Sequence, residues 1–226
     1  MRRPPLDLSL YLVTDTRMCG EYGVGATVAA AVRGGVSVVQ LRDPGATDEE
    51  FVVLGRSVAK VLEGTGVPLL VNDRVHLVKD IGAQGAHIGQ SDLGVTQARS
   101  ILGRELYLGL SAQAVEHVAE ARRQPLEDLD YLGVGPIWPQ TTKPDAAAPG
   151  GLERLGAVLA VSPWPCVAIG GLGADRAALV RAAGGDGMAV VSAICGQPDP
   201  EVAARSIASA WAGAAAPATS GRAVQR

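Results

Sequence analysis

Short apolar runs alternate with longer amphipathic stretches along most of the chain. Most of the short runs are apolar at nearly every position, which is typical of strands that are covered on both faces in a parallel sheet. These runs predict eight buried β-strands, at 9–14, 36–41, 68–71, 86–89, 106–109, 131–135, 166–170 and 188–191.

The longer stretches show helical periodicity and separate the strands. They predict helices at 25–33, 48–62, 75–81, 96–102, 114–122, 151–161, 175–183 and 200–212. Regular alternation of strand and helix indicates parallel βα units. Eight such units in about 200 residues predict an α/β fold, a compact (β/α)8 TIM barrel. An open doubly wound sheet is the alternative, but Thr14 and Asp15 follow the first strand where that fold has a glycine-rich turn.

The barrel accounts for residues 1–212 as a single domain. The remaining segment, 213–226, is rich in Ala, Pro, Ser and Gly and has no periodicity, so we expect a disordered tail. A net charge of −3 without a basic run disfavours nucleic-acid binding. No apolar run approaches the length of a membrane span, and the three cysteines have no C-x-x-C spacing. We therefore expect a soluble, cytoplasmic protein without a disulfide framework or zinc site.

Polar and glycine residues follow the predicted strands, where a TIM barrel carries its active site. Because the carboxyl ends of all eight strands meet at one rim, we expect these side chains to converge. They are Thr14, Asp15, Gln40, Arg42, Asn72, Asp73, Gln90, Asp92, Ser111, 141–143, 170–171 and Ser192.

Two carboxylates of this set, Asp73 and Asp92, end neighbouring strands and predict a Mg²⁺ site, because hard oxygen ligands suit that ion. Asp73 could instead cap the helix predicted at 75. Arg42 is a candidate phosphate ligand, with an ion pair to Asp15 or Asp73 as the alternative. The long proline-rich segment 135–144 predicts a loop over the substrate, and the three histidines are interpreted as structural.

Between residues 10 and 194 the sequence resembles the thiamine-phosphate synthase family. The resemblance lies in the order and spacing of several short stretches: LYLVTD at 10–15, VQLRD at 39–43, LVNDRV at 70–75, HIGQSD at 87–92, YLGVGPI at 131–137, AIGG at 168–171 and VVSAI at 190–194. It implies that a pyrimidine diphosphate and a thiazole phosphate condense, with Mg²⁺, to thiamine phosphate and pyrophosphate. Pyrophosphate would leave first, and the thiazole nitrogen would capture the resulting carbocation.

The resemblance also implies roles for individual residues. Gln40 would recognise the aminopyrimidine. The diphosphate would be held by Arg42, Asn72 and Lys143, and Ser111 would lie near the pyrimidine and the diphosphate. Of these, Arg42, Ser111 and Lys143 would be catalytic. Asp73 and Asp92 would bind Mg²⁺, and the thiazole phosphate would lie against Thr142, Gly171, Val191 and Ser192.

Two positions depart from the family pattern. Pro44 stands where the family has a lysine, and Gln140 stands at the first threonine of its Thr-x-Thr-Lys loop. Arg74 is a candidate to replace the missing cation. Two alternatives stay open, a thiazole tautomerase and a barrel that binds thiazole or thiamine phosphate without turnover, although the retained pair Asp73 and Asp92 argues against the tautomerase. Assembly into a homo-oligomer is also left open.

Overall fold

The structure is a computed structural model that describes residues 3–143 and 146–216. Eight parallel strands close into a barrel in sequence order, and β8 pairs with β1. The predicted (β/α)8 barrel is therefore confirmed. The strands are β1 Leu10–Val13, β2 Val38–Leu41, β3 Leu69–Asn72, β4 Gly85–Ile88, β5 Tyr107–Ala112, β6 Tyr131–Val134, β7 Cys166–Ile169 and β8 Gly187–Val190.

Helices follow the strands and cover the outside of the barrel. In the described parts of the chain, no helix has both the length and the apolarity needed to cross a membrane. The helices are α1 Thr16–Cys19, α2 Val24–Arg33, α3 Asp48–Leu62, α4 Val78–Ile81, α5 Val95–Leu102, α6 Val115–Ala121, α7 Gly151–Val161, α8 Ala177–Ala182 and α9 Pro200–Gly213.

Four local differences distinguish the structure from the predicted elements. The short helix α1 was not predicted, because it is a single turn whose N-terminus is capped by the Asp15 carboxylate, which accepts a hydrogen bond from the Met18 N–H at 3.0 Å. The helices expected at 75–81 and 175–183 each begin with a turn of 3-10 helix. Strand β5 continues to Ala112, so Ser111 lies within a strand and does not follow one. Helix α9 includes Gly213, and 217–226 of the expected tail lie outside the described residues.

Apolar side chains on the two faces of the strands build two separate cores. The larger core fills the space between the strands and the helices. The smaller core lies inside the barrel, with the members Leu8, Tyr11, Val13, Val38, Leu70, Tyr131, Val167 and Ala189. Because successive side chains of a strand point to opposite faces, every second residue of each strand faces the inside of the barrel.

A buried arginine on α5, Arg99, lies at the end of the barrel opposite the strand carboxyl termini. The Arg99 guanidinium donates to the backbone carbonyls of Asp128, Gly103 and Leu106 at 2.6–3.0 Å and to the Asp130 carboxylate at 3.3 Å. Asp130 also accepts from the Leu108 N–H and from Arg3, both at 2.8 Å. One guanidinium therefore joins α5, β5 and the segment that leads into β6.

Replacing this guanidinium should destabilise the fold strongly. We expect Arg99→Met to lower the free energy of unfolding by about 3–5 kcal/mol, because the carbonyls of Asp128, Gly103 and Leu106 lose the guanidinium that donates to them and Asp130 loses one of its cationic partners. Equilibrium unfolding in urea measures this change. Arg123→Met is the matched control, since the Arg123 side chain is 75% exposed and pairs with Glu120 three residues earlier in the chain. A loss below about 1 kcal/mol in Arg99→Met would show that the network is not a main support of the barrel.

Candidate active site

A deep cavity opens at the carboxyl ends of the strands, and every strand contributes to its wall. It encloses about 1160 Å³ including its open mouth. All nine predicted substrate-binding residues line it: Gln40, Arg42, Asn72, Ser111, Thr142, Lys143, Gly171, Val191 and Ser192.

The floor of this cavity is a chain of hydrogen-bonded neutral side chains. The Gln40 amide donates to the Tyr11 hydroxyl at 2.7 Å, and the hydroxyls of Tyr11 and Tyr131 are 2.8 Å apart. His87 Nδ1 lies 2.9 Å from the Tyr131 hydroxyl, and its Nε2 lies 2.9 Å from Ser111 Oγ. The barrel interior thus carries polar groups that satisfy one another across five strands.

Burial keeps the aromatic members of this floor uncharged. It raises the pKa of Tyr11 and of Tyr131 above the ordinary value, because a buried phenolate is poorly solvated. Burial also lowers the pKa of His87 to about 4. At neutral pH, the His87 ring is therefore uncharged and carries a single proton, either on Nδ1 or on Nε2.

Space for the floor depends on a glycine in strand β5. A Cβ atom at Gly109 would overlap the ring of Tyr131, its paired residue on the neighbouring strand β6. The absence of a side chain there lets the tyrosine ring turn inward and bring its hydroxyl to both Tyr11 and His87. Gly109 is therefore a packing requirement of the cavity floor.

The two acidic residues at the rim, Asp73 and Asp92, lie beside each other. Burial, then the hydrogen bond and negative charge of Asp92, raise the pKa of Asp73 to about 6. Asn72 donates to the Asp73 carboxylate at 2.6 Å, and the Gly89 N–H donates to Asp92 at 2.7 Å. Asp73 has a φ of +59°, a strained value for a residue with a side chain, and its carboxylate does not cap the following 3-10 turn.

This pair suits a hard divalent cation. Two neighbouring carboxylates repel each other when both are ionised, and a cation between them removes that repulsion. Among the described residues, no cluster of three or more His, Cys, Asp or Glu side chains surrounds a common point. A cation bound here would therefore take only two protein carboxylates and complete its shell with water and ligand oxygens, which is typical of Mg²⁺ beside a phosphate.

Three cations, Arg42, Arg74 and Lys143, border a smaller recess next to this carboxylate pair. Arg42 and Lys143 both line the recess and the main cavity. Arg42 is also 3.9 Å from Asp15, and its backbone N–H donates to the Thr14 hydroxyl at 3.0 Å. Both interpretations of Arg42 thus have a geometric basis, because the ion pair with Asp15 fixes a guanidinium that still reaches the cavity.

The Arg74 guanidinium contacts the loop that contains Pro44 and the start of α3. Its guanidinium pairs with Asp48 at 3.0 Å, donates to the Ala46 carbonyl and lies 4.6 Å from the centre of the Phe51 ring. These contacts hold the loop between β2 and α3 against the rim. Replacement of the missing lysine by Arg74 stays a prediction, although Arg74 lines the smaller recess.

Gln140 organises the loop that carries Thr142 and Lys143. Its side-chain oxygen accepts from the Thr142 hydroxyl at 2.9 Å and from the Lys143 N–H at 2.8 Å, and its amide nitrogen donates to the Lys143 carbonyl at 2.6 Å. The glutamine that departs from the family pattern therefore folds this part of the loop on itself. The adjacent positions 144–145, part of the predicted covering loop, lie outside the described residues.

Backbone turns form the wall at strands β7 and β8. Gly170 and Gly171 have φ values of +101° and +65°, which glycine adopts without strain. Arg176 donates to the Gly171 carbonyl and lies 4.7 Å from the centre of the Trp138 ring, so it joins this turn to the loop after β6. After β8 the chain forms a turn in which the Gln197 amide donates to the Ser192 carbonyl at 2.8 Å.

Three cavity residues, Tyr11, His87 and Tyr131, were missed by sequence reasoning. Each lies inside an apolar strand and not after one, and His87 was interpreted as structural. The signal that identifies them is the two-residue alternation of a strand, which places His87 and Tyr131 on the inner face. The other two histidines lie outside the cavity, with His76 bound to Asp48.

Comparison with known proteins identifies the barrel more closely. A family model described as thiamine monophosphate synthase matches residues 10–194. A thiamine-phosphate synthase from Psychrobacter sp. is 45% identical over 197 residues, which cover 87% of this chain and 92% of the relative. One from Xanthobacter autotrophicus is 46% identical over 206 residues, 91% of this chain and 96% of the relative.

A solved structure agrees with these relatives. Thiamine phosphate pyrophosphorylase from Pyrococcus furiosus superposes with a TM-score of 0.81 at 30% identity, over 91% of this chain and 96% of that chain. The relatives support the synthase activity and neither of the two alternatives. By sequence and by structure, the chain belongs to the thiamine monophosphate synthase family.

Proposed function

We propose that the chain condenses a hydroxymethylpyrimidine diphosphate with a thiazole phosphate, giving thiamine phosphate and pyrophosphate, at the cavity described above. One observation carries the assignment: Arg42, Lys143 and Asp73 line one recess, with Asp92 beside Asp73, and the recess opens beside a neutral polar floor. The recess suits a diphosphate, and the floor suits an uncharged heterocycle.

The reaction breaks the bond between the pyrimidine methylene carbon and the diphosphate oxygen, and the electron pair leaves with the diphosphate. Arg42 and Lys143 offer donors where this negative charge grows, and such charge-assisted hydrogen bonds strengthen as the bond breaks. Asn72 donates to Asp73 through one N–H and keeps its other N–H for a ligand oxygen. The cationic carbon then forms a bond with the lone pair of the thiazole nitrogen.

A divalent cation fits the carboxylates of Asp73 and Asp92. When bound, Mg²⁺ would neutralise charge on the diphosphate oxygens. The protein's own contribution is to hold the two carboxylates side by side, through the Asn72 amide and the Gly89 N–H. A nucleophilic side chain is not required, because the acceptor nitrogen belongs to the second substrate.

The second substrate would lie against the wall formed by Thr142, Gly171, Val191 and Ser192. Glycine at 171 lets a phosphate approach the backbone closely, and hydroxyls at 142 and 192 supply donors. The loop that Gln140 organises would cover this end of the cavity. Such a cover would keep water away from the carbocation.

An assay of the purified protein tests the function directly. With pyrimidine diphosphate, thiazole phosphate and Mg²⁺, we expect thiamine phosphate and pyrophosphate in equal amounts. Chelation of the metal, or Asp92→Ala, should reduce kcat by at least about 100-fold because charge on the leaving group is no longer neutralised. Thermal stabilisation by thiazole phosphate without product would instead favour the binding or tautomerase alternative.

Lys143 should matter for the reaction and not for the fold. We expect Lys143→Gln to lower kcat/KM for the pyrimidine diphosphate by about 100-fold, because an exposed ammonium that faces the diphosphate is lost, and to leave the melting temperature unchanged. Lys79→Gln is the matched control, since Lys79 is an exposed lysine on α4. Equal losses in the two variants would contradict the role of Lys143.

The repulsion between Asp73 and Asp92 should appear in the stability of the metal-free protein. The pKa of Asp73 is about 6 in the folded protein, above its pKa in the unfolded chain. The stabilisation that comes from protonated Asp73 is therefore lost as the pH rises from the unfolded pKa through 6. Asp92→Asn removes the neighbouring charge. In thermal melts, we expect the melting temperature of the variant relative to that of the wild type to be higher at pH 7.5 than at pH 5, by on the order of 1–2 °C.

Added Mg²⁺ provides the control for this comparison. At pH 7.5 it should narrow the difference between the wild type and Asp92→Asn, because it stabilises only the protein with both carboxylates. A difference that is the same at both pH values, with and without Mg²⁺, would show that the two carboxylates do not interact.

A further inference from the structure

The hydrogen-bonded floor of the cavity has a direction. An amide nitrogen only donates, so Tyr11 accepts from Gln40 and must use its own proton toward Tyr131. Tyr131 in turn donates to His87 Nδ1, which leaves the His87 proton on Nε2 for Ser111 Oγ. Each hydroxyl accepts one hydrogen bond and donates one, and no member can be reversed alone without leaving a buried group unpaired.

This direction fixes what the two ends of the chain offer to a ligand. The Gln40 side-chain oxygen has no hydrogen-bond partner in the part of the chain that the structure describes, so it can accept. Ser111 Oγ already accepts from His87, so its own proton is free to be donated. Both ends line the same cavity.

The two ends are coupled because the chain can reverse only as a whole. Turning the Gln40 amide over would make Tyr11 donate to it, and every hydrogen bond up to Ser111 would then run the other way. The Ser111 hydroxyl would donate to His87 and would offer only its lone pairs to a ligand. Whether the ligand group that pairs with the Gln40 amide is a donor or an acceptor therefore determines whether Ser111 is a donor.

We propose that Tyr11, Tyr131 and His87 are positioning residues that transmit one hydrogen-bond direction from Gln40 to Ser111, so that recognition of the pyrimidine holds the Ser111 hydroxyl as a donor toward the leaving diphosphate. The inference rests on the proposed function and on the places expected from the family resemblance, Gln40 at the aminopyrimidine and Ser111 near the pyrimidine and the diphosphate. An exocyclic amino group donates to the Gln40 oxygen and so selects this direction. A pyrimidine with an oxo group at that place would select the reverse one.

The direction is favourable for the chemistry of the leaving group. Aligned hydrogen bonds polarise one another, so the last proton of the chain becomes a stronger donor than that of an isolated serine. Negative charge grows on the diphosphate as the carbon–oxygen bond breaks, and a donor placed there stabilises that charge. The rest of the floor stays neutral and leaves the positive charge of the pyrimidine undisturbed.

The tautomer of His87 tests the direction without any reliance on turnover. The chain has three histidines, so nitrogen-15 NMR of histidine-labelled protein resolves them, and His87→Asn assigns the signal. We expect His87 to be neutral with its proton on Nε2, and we expect Tyr131→Phe to abolish this preference. A wild-type protein with the proton on Nδ1, or a tautomer unchanged in Tyr131→Phe, would overturn the proposal even if the enzyme is active.

Kinetics of a double-mutant cycle test the transmission to Ser111. We expect Tyr131→Phe to raise the KM for the pyrimidine diphosphate and to lower kcat about tenfold, since both ends lose their fixed direction. In the Ser111→Ala background, Tyr131→Phe should still raise KM but should change kcat less than about twofold. Equal kcat losses in the two backgrounds would show that Tyr131 merely shapes the cavity and would overturn the proposal.

Tyr107→Phe is the matched control for the loss of a hydroxyl. The Tyr107 hydroxyl donates to the Pro4 carbonyl at 2.9 Å, and Tyr107 does not line the cavity. This variant should keep the wild-type KM, kcat and His87 tautomer. Absence of thiamine phosphate synthesis in the wild type would contradict the proposed function, while the NMR measurement would still decide the direction of the chain.

Discussion

Closure of the parallel barrel is the constraint on which the site depends. Because all eight strands run in the same direction, their carboxyl ends form one rim, and side chains from distant parts of the sequence meet there. Closure also buries the inner face of every strand. A polar side chain on that face cannot reach water at depth, so it must pair with another such side chain.

This requirement separates charged from neutral groups along the barrel axis. Charged side chains lie at the rim, where water still solvates them, and the floor below consists of neutral donors and acceptors. A reaction that creates a cationic carbon and an anionic leaving group uses both regions. The rim receives the anion, and the floor holds the heterocycle without adding a charge of its own.

The sequence predicted the architecture and the rim better than the floor. The βα pattern is repeated eight times, so small errors at element ends did not affect the fold. Arg42 and Asn72 were recognisable because each directly follows a predicted apolar run. Tyr11, His87 and Tyr131 lie within runs that are apolar on both faces, which conceals the alternation that turns them inward. Ser111 was expected after a strand, and only the pairing of β5 with β6 shows that it lies inside one.

Partners across the sequence were hardest to foresee. Arg74 and Asp48 are separated by 25 residues of loop, helix and strand, so their ion pair and its hold on the Pro44 loop follow from tertiary packing alone. The role of Gln140 is local, yet it depends on a loop conformation that periodicity does not encode. In both cases the residue type was informative only once its neighbours in space were known.

The cavity floor depends on a residue without a side chain, Gly109. Gly109 touches no ligand in any arrangement described above, yet its lack of a Cβ atom determines how far Tyr131 swings into the barrel. A single methyl group at that position would overlap the ring and force it to move. Attempts to enlarge or redirect the substrate range of this barrel by design must therefore treat residue 109 as part of the binding surface, although it lies behind the floor and not on it.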